Sequence, residues 1–205
     1  MLALIMAGGT GSRLNLGEKP LVTIAGRPMI AYVIRAFGMY GCDIVVVASD
    51  KTPMTRNWCR VSGIDLYCAQ GTGFVEDMVD AVSALGEQQP VFVSVSDLPC
   101  LHAGILKAIH LAYATSKKEA CSSWVPVSLL RNHRDLLYRE NIDGIEACPC
   151  GVNILRGDRI ADPQDELRLL LHEPRLAYNV NTRTDLALAE AYLMDPSHSH
   201  EAGLP

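Results

Sequence analysis

The residues with the clearest chemical meaning lie at the start of the chain. Leu4-Ile5-Met6-Ala7 is an apolar run, and Gly8-Gly9-Thr10-Gly11-Ser12-Arg13 follows it directly. Three glycines within four positions let backbone N–H groups approach a polyphosphate without interference from Cβ atoms. Arg13 adds a cation, and Lys19 a second one within Gly17-Glu18-Lys19-Pro20-Leu21. Each feature alone has a plainer reading, a tight turn or a surface lysine. Their closeness in sequence favours phosphate binding by both. Two familiar glycine loops do not fit. No Gly-x4-Gly-Lys-Ser/Thr stretch exists. The dinucleotide fingerprint needs a third glycine where Leu14 stands, and an acidic residue closing a second strand about 20 residues on. The next strand ends near Asp50, much too far.

Other polar groups stand where apolar runs end. Asp97, in Ser94-Val95-Ser96-Asp97-Leu98-Pro99, is a lone carboxylate after a strand pattern, fit to hold a cation or to cap the next helix. Gln70-Gly71-Thr72-Gly73 closes another strand, as a ligand loop or a helix N-cap turn. Gly151-Val152-Asn153 and Asn179-Val180-Asn181-Thr182 come late, and Thr182 suits the cap of a last helix. No Ser/His/Asp or Cys/His arrangement for nucleophilic catalysis is present.

The elements that must carry these residues alternate. Strand patterns run over Leu2–Met6, Asp43–Ala48, Ile64–Ala69, Val91–Val95 and Cys121–Val127. Helical patterns lie between them, over Pro28–Met39, Pro53–Ser62, Phe74–Leu85 and Leu101–Thr115. Such alternation predicts βαβ units and a mainly parallel sheet, with ligands at the carboxyl ends of its strands. After about residue 128 the rhythm loosens, and Leu129–Ile145 has no clear period. Beyond it we expect a strand at Gly151–Leu155, a short helix at Asp165–His172, a last strand at Leu176–Val180 and a last helix at Thr182–Met194. Residues 1–194 read as one α/β domain, and the Pro/Ser/His/Gly-rich residues 195–205 as a frayed tail.

Composition sets the bounds. The 205 residues can bury a full core, and 49% hydrophobic with 20% charged residues is ordinary for a globular protein. The net charge of −5 argues against nucleic acid as partner, though not against an anionic small ligand. No apolar run approaches the roughly 18 residues of a membrane span. Met1–Ala7 lacks a basic flank and reads as a strand rather than a signal peptide. The seven scattered cysteines read as reduced, buried thiols of a cytoplasmic protein, with no second pair to answer Cys148-Pro149-Cys150 as a zinc site.

Ala7-Gly8-Gly9-x-Gly11-x-Arg13 with Lys19-Pro20-Leu21 resembles the signature of the GT-A-like nucleotidyltransferases, which join a nucleoside triphosphate to a phosphorylated acceptor. More narrowly, Met1–Ile34, Gly71–Asp77, Gly151–Asn153 and Asn179–Glu190 are similar to the archaeal-type GTP:adenosylcobinamide-phosphate guanylyltransferases. The likeness spans about residues 1–194 and is poor over Leu129–Cys150. It implies a Rossmann-like three-layer fold of the nucleotide-diphospho-sugar-transferase type. It further implies that Gly8, Gly9, Thr10, Gly11, Ser12, Arg13 and Lys19 hold the triphosphate and that Gly71, Thr72 and Gly73 meet base and ribose. Asp97 and Asn181 are then Mg²⁺ ligands, Gly151 belongs to the nucleotide site, and Arg13, Lys19 and Asp97 are catalytic.

The implied reaction joins GTP to adenosylcobinamide phosphate, giving adenosylcobinamide-GDP and pyrophosphate, in cobalamin biosynthesis. A phosphate nucleophile with a second pKa near 6 is largely ionised at pH 7 and needs no general base. The site must align two anions and neutralise charge. Guanine presents N1–H and N2–H₂ as donors, and the acceptor-only carboxylates of Glu76 and Asp77 could take both. Alternatively, both simply favour the helix dipole. A molybdenum-cofactor guanylyltransferase would carry most of the same motifs. A non-catalytic nucleotide-binding regulatory subunit of the same fold is a further reading.

Overall fold

The computed structural model describes residues 1–9, 14–130 and 138–197. The strands are β1 (Leu2–Met6), β2 (Thr23–Ile24), β3 (Arg27–Pro28), β4 (Asp43–Ser49), β5 (Asp65–Ala69), β6 (Pro90–Val95), β7 (Ala120–Pro126), β8 (Glu140–Ile142), β9 (Ile145–Arg156) and β10 (Glu166–Leu170). The helices are α1 (Met29–Tyr40), α2 (Pro53–Val61), α3 (Phe74–Leu85), α4 (Ala103–Ser116) and α5 (Arg183–Met194).

β1 is buried on both faces because it runs between β4 and β6, parallel to each, and its sequence is apolar at every position. The main sheet has the order β10-β7-β9-β6-β1-β4-β5, with β8 paired to β9. β9 runs against both its neighbours β6 and β7, and the other pairings along that order are parallel. The sheet is therefore mainly parallel, as the alternation predicts.

Pleat parity divides the core. Ala3, Ile5 and Ala7 face a cluster built with α1, α2 and α4, and Leu4 and Met6 face one built with α3. Helices on both sides of one sheet make three layers. α1 ends on Gly41 and α3 on Gly86, both left-handed.

Two expected elements differ. Asp165–His172 is no helix: β10 joins β7 in parallel at the sheet edge. Glu, Leu and Arg are good helix formers, but Leu167 and Leu169 alternate onto the core while Glu166 and Arg168 stay outside, and the sheet edge decides. Leu176–Val180 is no strand: Pro174–Ala177 forms a 3-10 turn. The segment after it bonds to Asp97, with the Val180 N–H donating to its carbonyl at 3.0 Å. The unpatterned stretch Leu129–Ile145 holds β8, closed on β9 by an Asp143-Gly144 turn. Residues 198–205 of the expected tail lie outside the described residues.

Candidate active site

The site gathers where β1, β4, β5 and β6 end. After β1 the chain reaches Gly8, whose carbonyl accepts a hydrogen bond from Ser49 Oγ at 3.0 Å. The φ of Gly8 is ordinary, and a Cβ there would lie 3.4 Å from Ser49 Oγ, so close packing rather than backbone twist distinguishes the position. A Cβ at Gly9 would meet nothing within 4 Å. Thr10, Gly11, Ser12 and Arg13 lie outside the described residues. The chain resumes at Leu14, which is buried beneath α5 with Val180, Ala189 and Leu193.

Lys19 is brought to the end of β6 by a 3-10 turn over Lys19–Leu21, with Pro20 buried. Lys19 Nζ donates to Asp97 Oδ2 and, at 2.9 Å, to Asn181 Oδ1. Asn179 Nδ2 donates to Asp97 Oδ1 at 2.9 Å, and Asn181 Nδ2 donates to Asn179 Oδ1. The four side chains close a ring. It is partly sheltered, the side chains of Lys19 and Asp97 being 15% and 14% exposed. α5 secures its far side through a capping box: Thr182 Oγ1 accepts from Asp185 N at 3.2 Å, and Asp185 Oδ2 accepts from Thr182 N at 2.8 Å and Asn181 N at 3.1 Å. Thr182 is thus a helix cap, as its sequence position suggests.

Gly71 and Gly73, just past β5, line the same cleft, and Thr72 between them is not in its lining. Gly71 has φ +75°, and a Cβ there would press to 3.1 Å on Ser49 Cβ, so the turn requires glycine twice over. Asp77, buried in the first turn of α3, holds this turn: Oδ1 accepts from Gly71 N at 2.9 Å and Thr72 N at 3.2 Å. Glu76 is exposed and folds back over Gly73. Lys51, past the end of β4, donates from Nζ to the Gly71 carbonyl at 2.5 Å and lines the cleft. Lys51 and Asn179 were not among the expected site residues. The strand-end rule, applied to β4 as to β1, points to Lys51.

Two clefts meet at Asp97 and Asn181. The smaller, about 460 Å³, is lined by Gly8, Gly9, Lys19, Lys51, Gly71 and Asp77 among others. The larger, about 710 Å³, is walled mainly by apolar residues of β9, the 3-10 turn and the Val125–Leu130 segment. Gly151 stands in the wall of the larger cleft, not of the smaller one. It sits in an irregularity of the β7–β9 ladder, between the pairs Ser122↔Asn153 and Trp124↔Pro149, with φ +83°. A Cβ at Gly151 would come within 2.7 Å of Val95 Cγ2. Gly151 thus lines the larger cleft, next to Ser94↔Val152, the last pair between β6 and β9.

Among the described residues no three His, Cys, Asp or Glu side chains cluster to hold a metal. The Asp97 carboxylate with the Asn179 and Asn181 amide oxygens is an all-oxygen set with one charge. Such a set suits a hard cation that takes its remaining ligands from phosphates and water. Burial pushes the thiols of Cys100 and Cys121 up to about 12 and those of Cys59 and Cys150 up to about 11. Among the described residues no helix is long and apolar enough to cross a membrane.

Comparisons with known proteins bear on the family and the fold. The chain is 29% identical over 204 residues to adenosylcobinamide-phosphate guanylyltransferase of Methanocaldococcus jannaschii, covering 94% of this chain and 97% of that protein. It is 28% identical over 197 residues to molybdenum cofactor guanylyltransferase of Desulfosudis oleivorans, covering 92% and 93%. The structure of CMP:2-keto-3-deoxy-manno-octonic acid synthetase in complex with CTP superposes with a TM-score of 0.68 at 13% identity, covering 93% and 96%. The model of the MobA-like NTP transferase domain matches residues 3–148, and the chain belongs to that family.

Proposed function

We propose that this protein transfers GMP from GTP to adenosylcobinamide phosphate, releasing pyrophosphate and giving adenosylcobinamide-GDP. The observation that carries this reading is the ring of Lys19, Asp97, Asn179 and Asn181 at the neck between two clefts of unlike character. The smaller cleft, with Lys19 and Lys51 among its lining, suits a nucleoside triphosphate. Among the described residues, the wall of the larger one holds no Lys, Arg or His. That suits a bulky acceptor with no negative charge beyond its phosphate, as adenosylcobinamide phosphate is.

The acceptor phosphate enters from the large cleft and its oxygen attacks the α-phosphorus of GTP. The bond to the β-phosphate oxygen breaks and pyrophosphate leaves. Lys19 neutralises charge that builds on the phosphates, and the backbone of Gly8 and Gly9 lies along the triphosphate. Asp97, Asn179 and Asn181 would hold Mg²⁺, which when bound supplies positive charge between the two reacting phosphates. Lys19 donates to oxygens of Asp97 and Asn181, so its ammonium would have to turn toward the phosphates for those oxygens to hold a cation.

The molybdenum-cofactor reaction is the second reading, favoured by the likeness over 92% of the chain. Pyrophosphate release with GTP is measured with adenosylcobinamide phosphate, with molybdenum cofactor, and with neither. Release only with the corrinoid is expected. Release only with molybdenum cofactor overturns the acceptor, and absence of release with either acceptor overturns both readings.

A further inference from the structure

Glu18 stands beside Lys19 in sequence, yet its side chain serves a different element. Oε1 accepts a hydrogen bond from Met54 N at 2.7 Å. Oε2 accepts from Thr55 N at 2.7 Å and from Thr55 Oγ1 at 2.6 Å. These N–H groups open α2, whose N-cap residue Thr52 makes no capping bond with its own side chain. A carboxylate from a distant segment therefore caps the positive end of this helix, in charge-assisted bonds.

What the cap joins is the informative part. One residue after Glu18 stands Lys19, in the ring with Asp97 and Asn181. Three residues before Met54 stands Lys51, the other described cation on the nucleotide cleft. The Glu18 carbonyl also accepts from Leu21 N at 2.9 Å, which closes the turn that presents Lys19. Between the buried Leu14 and Glu18 the chain is exposed at Asn15, Leu16 and Gly17.

We infer that Glu18 is a positioning residue for the transfer reaction: by gripping α2 it fixes the backbone from which Lys19 reaches the phosphates. It touches no reacting atom. This rests on the phosphate role of Lys19 proposed above. Misplacing a catalytic group by about 1 Å can cost about 10²-fold in rate. Glu18→Ala should thus lower kcat by roughly 10- to 100-fold.

A helix cap with no catalytic consequence would also lower stability, so the test is a double-mutant cycle. kcat for pyrophosphate release and Tm are measured for wild type, Glu18→Ala, Lys19→Ala and the double variant. The inference expects Glu18→Ala to lower kcat in the wild-type background and to cause no further loss once Lys19 is gone, while Tm falls equally in both. An equal loss of kcat in both backgrounds, or none in the wild type, overturns it and leaves Glu18 a helix cap. If the Ala variant does not fold, Glu18→Gln carries the same cycle, since it keeps one acceptor oxygen. Near-wild-type turnover of Lys19→Ala alone is a separate failure, that of the phosphate role itself.

Discussion

Lys19 Nζ is held between the charged oxygen of Asp97 and the amide oxygen of Asn181, and both are within reach of a phosphate entering the smaller cleft. Replacing Lys19 with Ala removes a charge contact of the kind worth about 10²–10³ in rate. We expect that loss in pyrophosphate release, with an unchanged circular-dichroism spectrum. Asp97→Asn keeps the side-chain shape but leaves one acceptor where there were two and removes the only carboxylate of the ring, so the Mg²⁺ concentration for half-maximal activity should rise. Superimposable Mg²⁺ titrations for mutant and wild type would falsify the metal role. Thiol chemistry gives a check on the packing. At pH 8 the buried thiols of Cys59, Cys100, Cys121 and Cys150 are almost wholly protonated, because burial raises each to about 11 or 12. Thiolate is the reactive form, so exposed Cys68 should be modified first by a thiol reagent and these four only on unfolding. Lys19 and Asp97 could be singled out because one follows a glycine loop and the other an apolar run, and Asn181 through the resemblance of Asn179-Val180-Asn181-Thr182 to a family motif. Asn179 and Glu18 were not, because their roles depend on partners 82 and 36 positions away.

β9 lines the larger cleft; it pairs with β6 as far as Ser94↔Val152, and its ladder with β7 shifts register around Gly151. Gly151→Ala puts a methyl group 2.7 Å from Val95 Cγ2 in a left-handed backbone conformation. Overpacking of this kind costs about 1–3 kcal/mol, which we expect as a lower Tm. Val95→Ala in the same chain should recover part of it, because it removes the methyl that is struck. No recovery would mean that the backbone conformation alone is responsible. The apolar strands β1, β4 and β6 and the helices between them were readable because a parallel strand buried on both faces is continuously hydrophobic. β10 was not, since its Glu-Leu-Arg-Leu composition favours helix and only the neighbouring β7 makes it a strand. The Pro174–Val180 segment was misread for a related reason: its backbone is tied to Asp97 rather than to a ladder.

Across the whole molecule, the order β5-β4-β1-β6 sets four parallel strand ends in a row, and reversed β9 closes the row. With the phosphates over β1 and β6, as the proposed role of Lys19 and Asp97 requires, the ends of β4 and β5 are left for the base. There the chain presents Lys51 and Asp77 on one cleft. Asp77 spends Oδ1 on the Gly71–Thr72 turn, while Oδ2 lies toward Gly8, 3.7 Å from where a Cβ would stand. A carboxylate oxygen there can accept the N1–H and N2–H₂ of guanine, and a Lys51 ammonium can donate to O6. Adenine reverses the edge, with an amino group in place of O6 and no donor at N1. Sites that hydrogen-bond a ligand group can reject an analogue lacking it by about 10⁴. Glu76 is exposed and turned over Gly73, so it has no comparable claim. The expected outcome is therefore unequal. Glu76→Gln should leave the GTP/ATP ratio of kcat/KM within about twofold of wild type. Asp77→Asn exchanges an acceptor for a mixed group and should lower that ratio at least about tenfold. Because Asp77 also holds the turn, both nucleotides will be used less well, and the ratio rather than either rate carries the result. If the ratio is unchanged in both variants, the base is read by the backbone of Gly71–Gly73 and the carboxylate only shapes it.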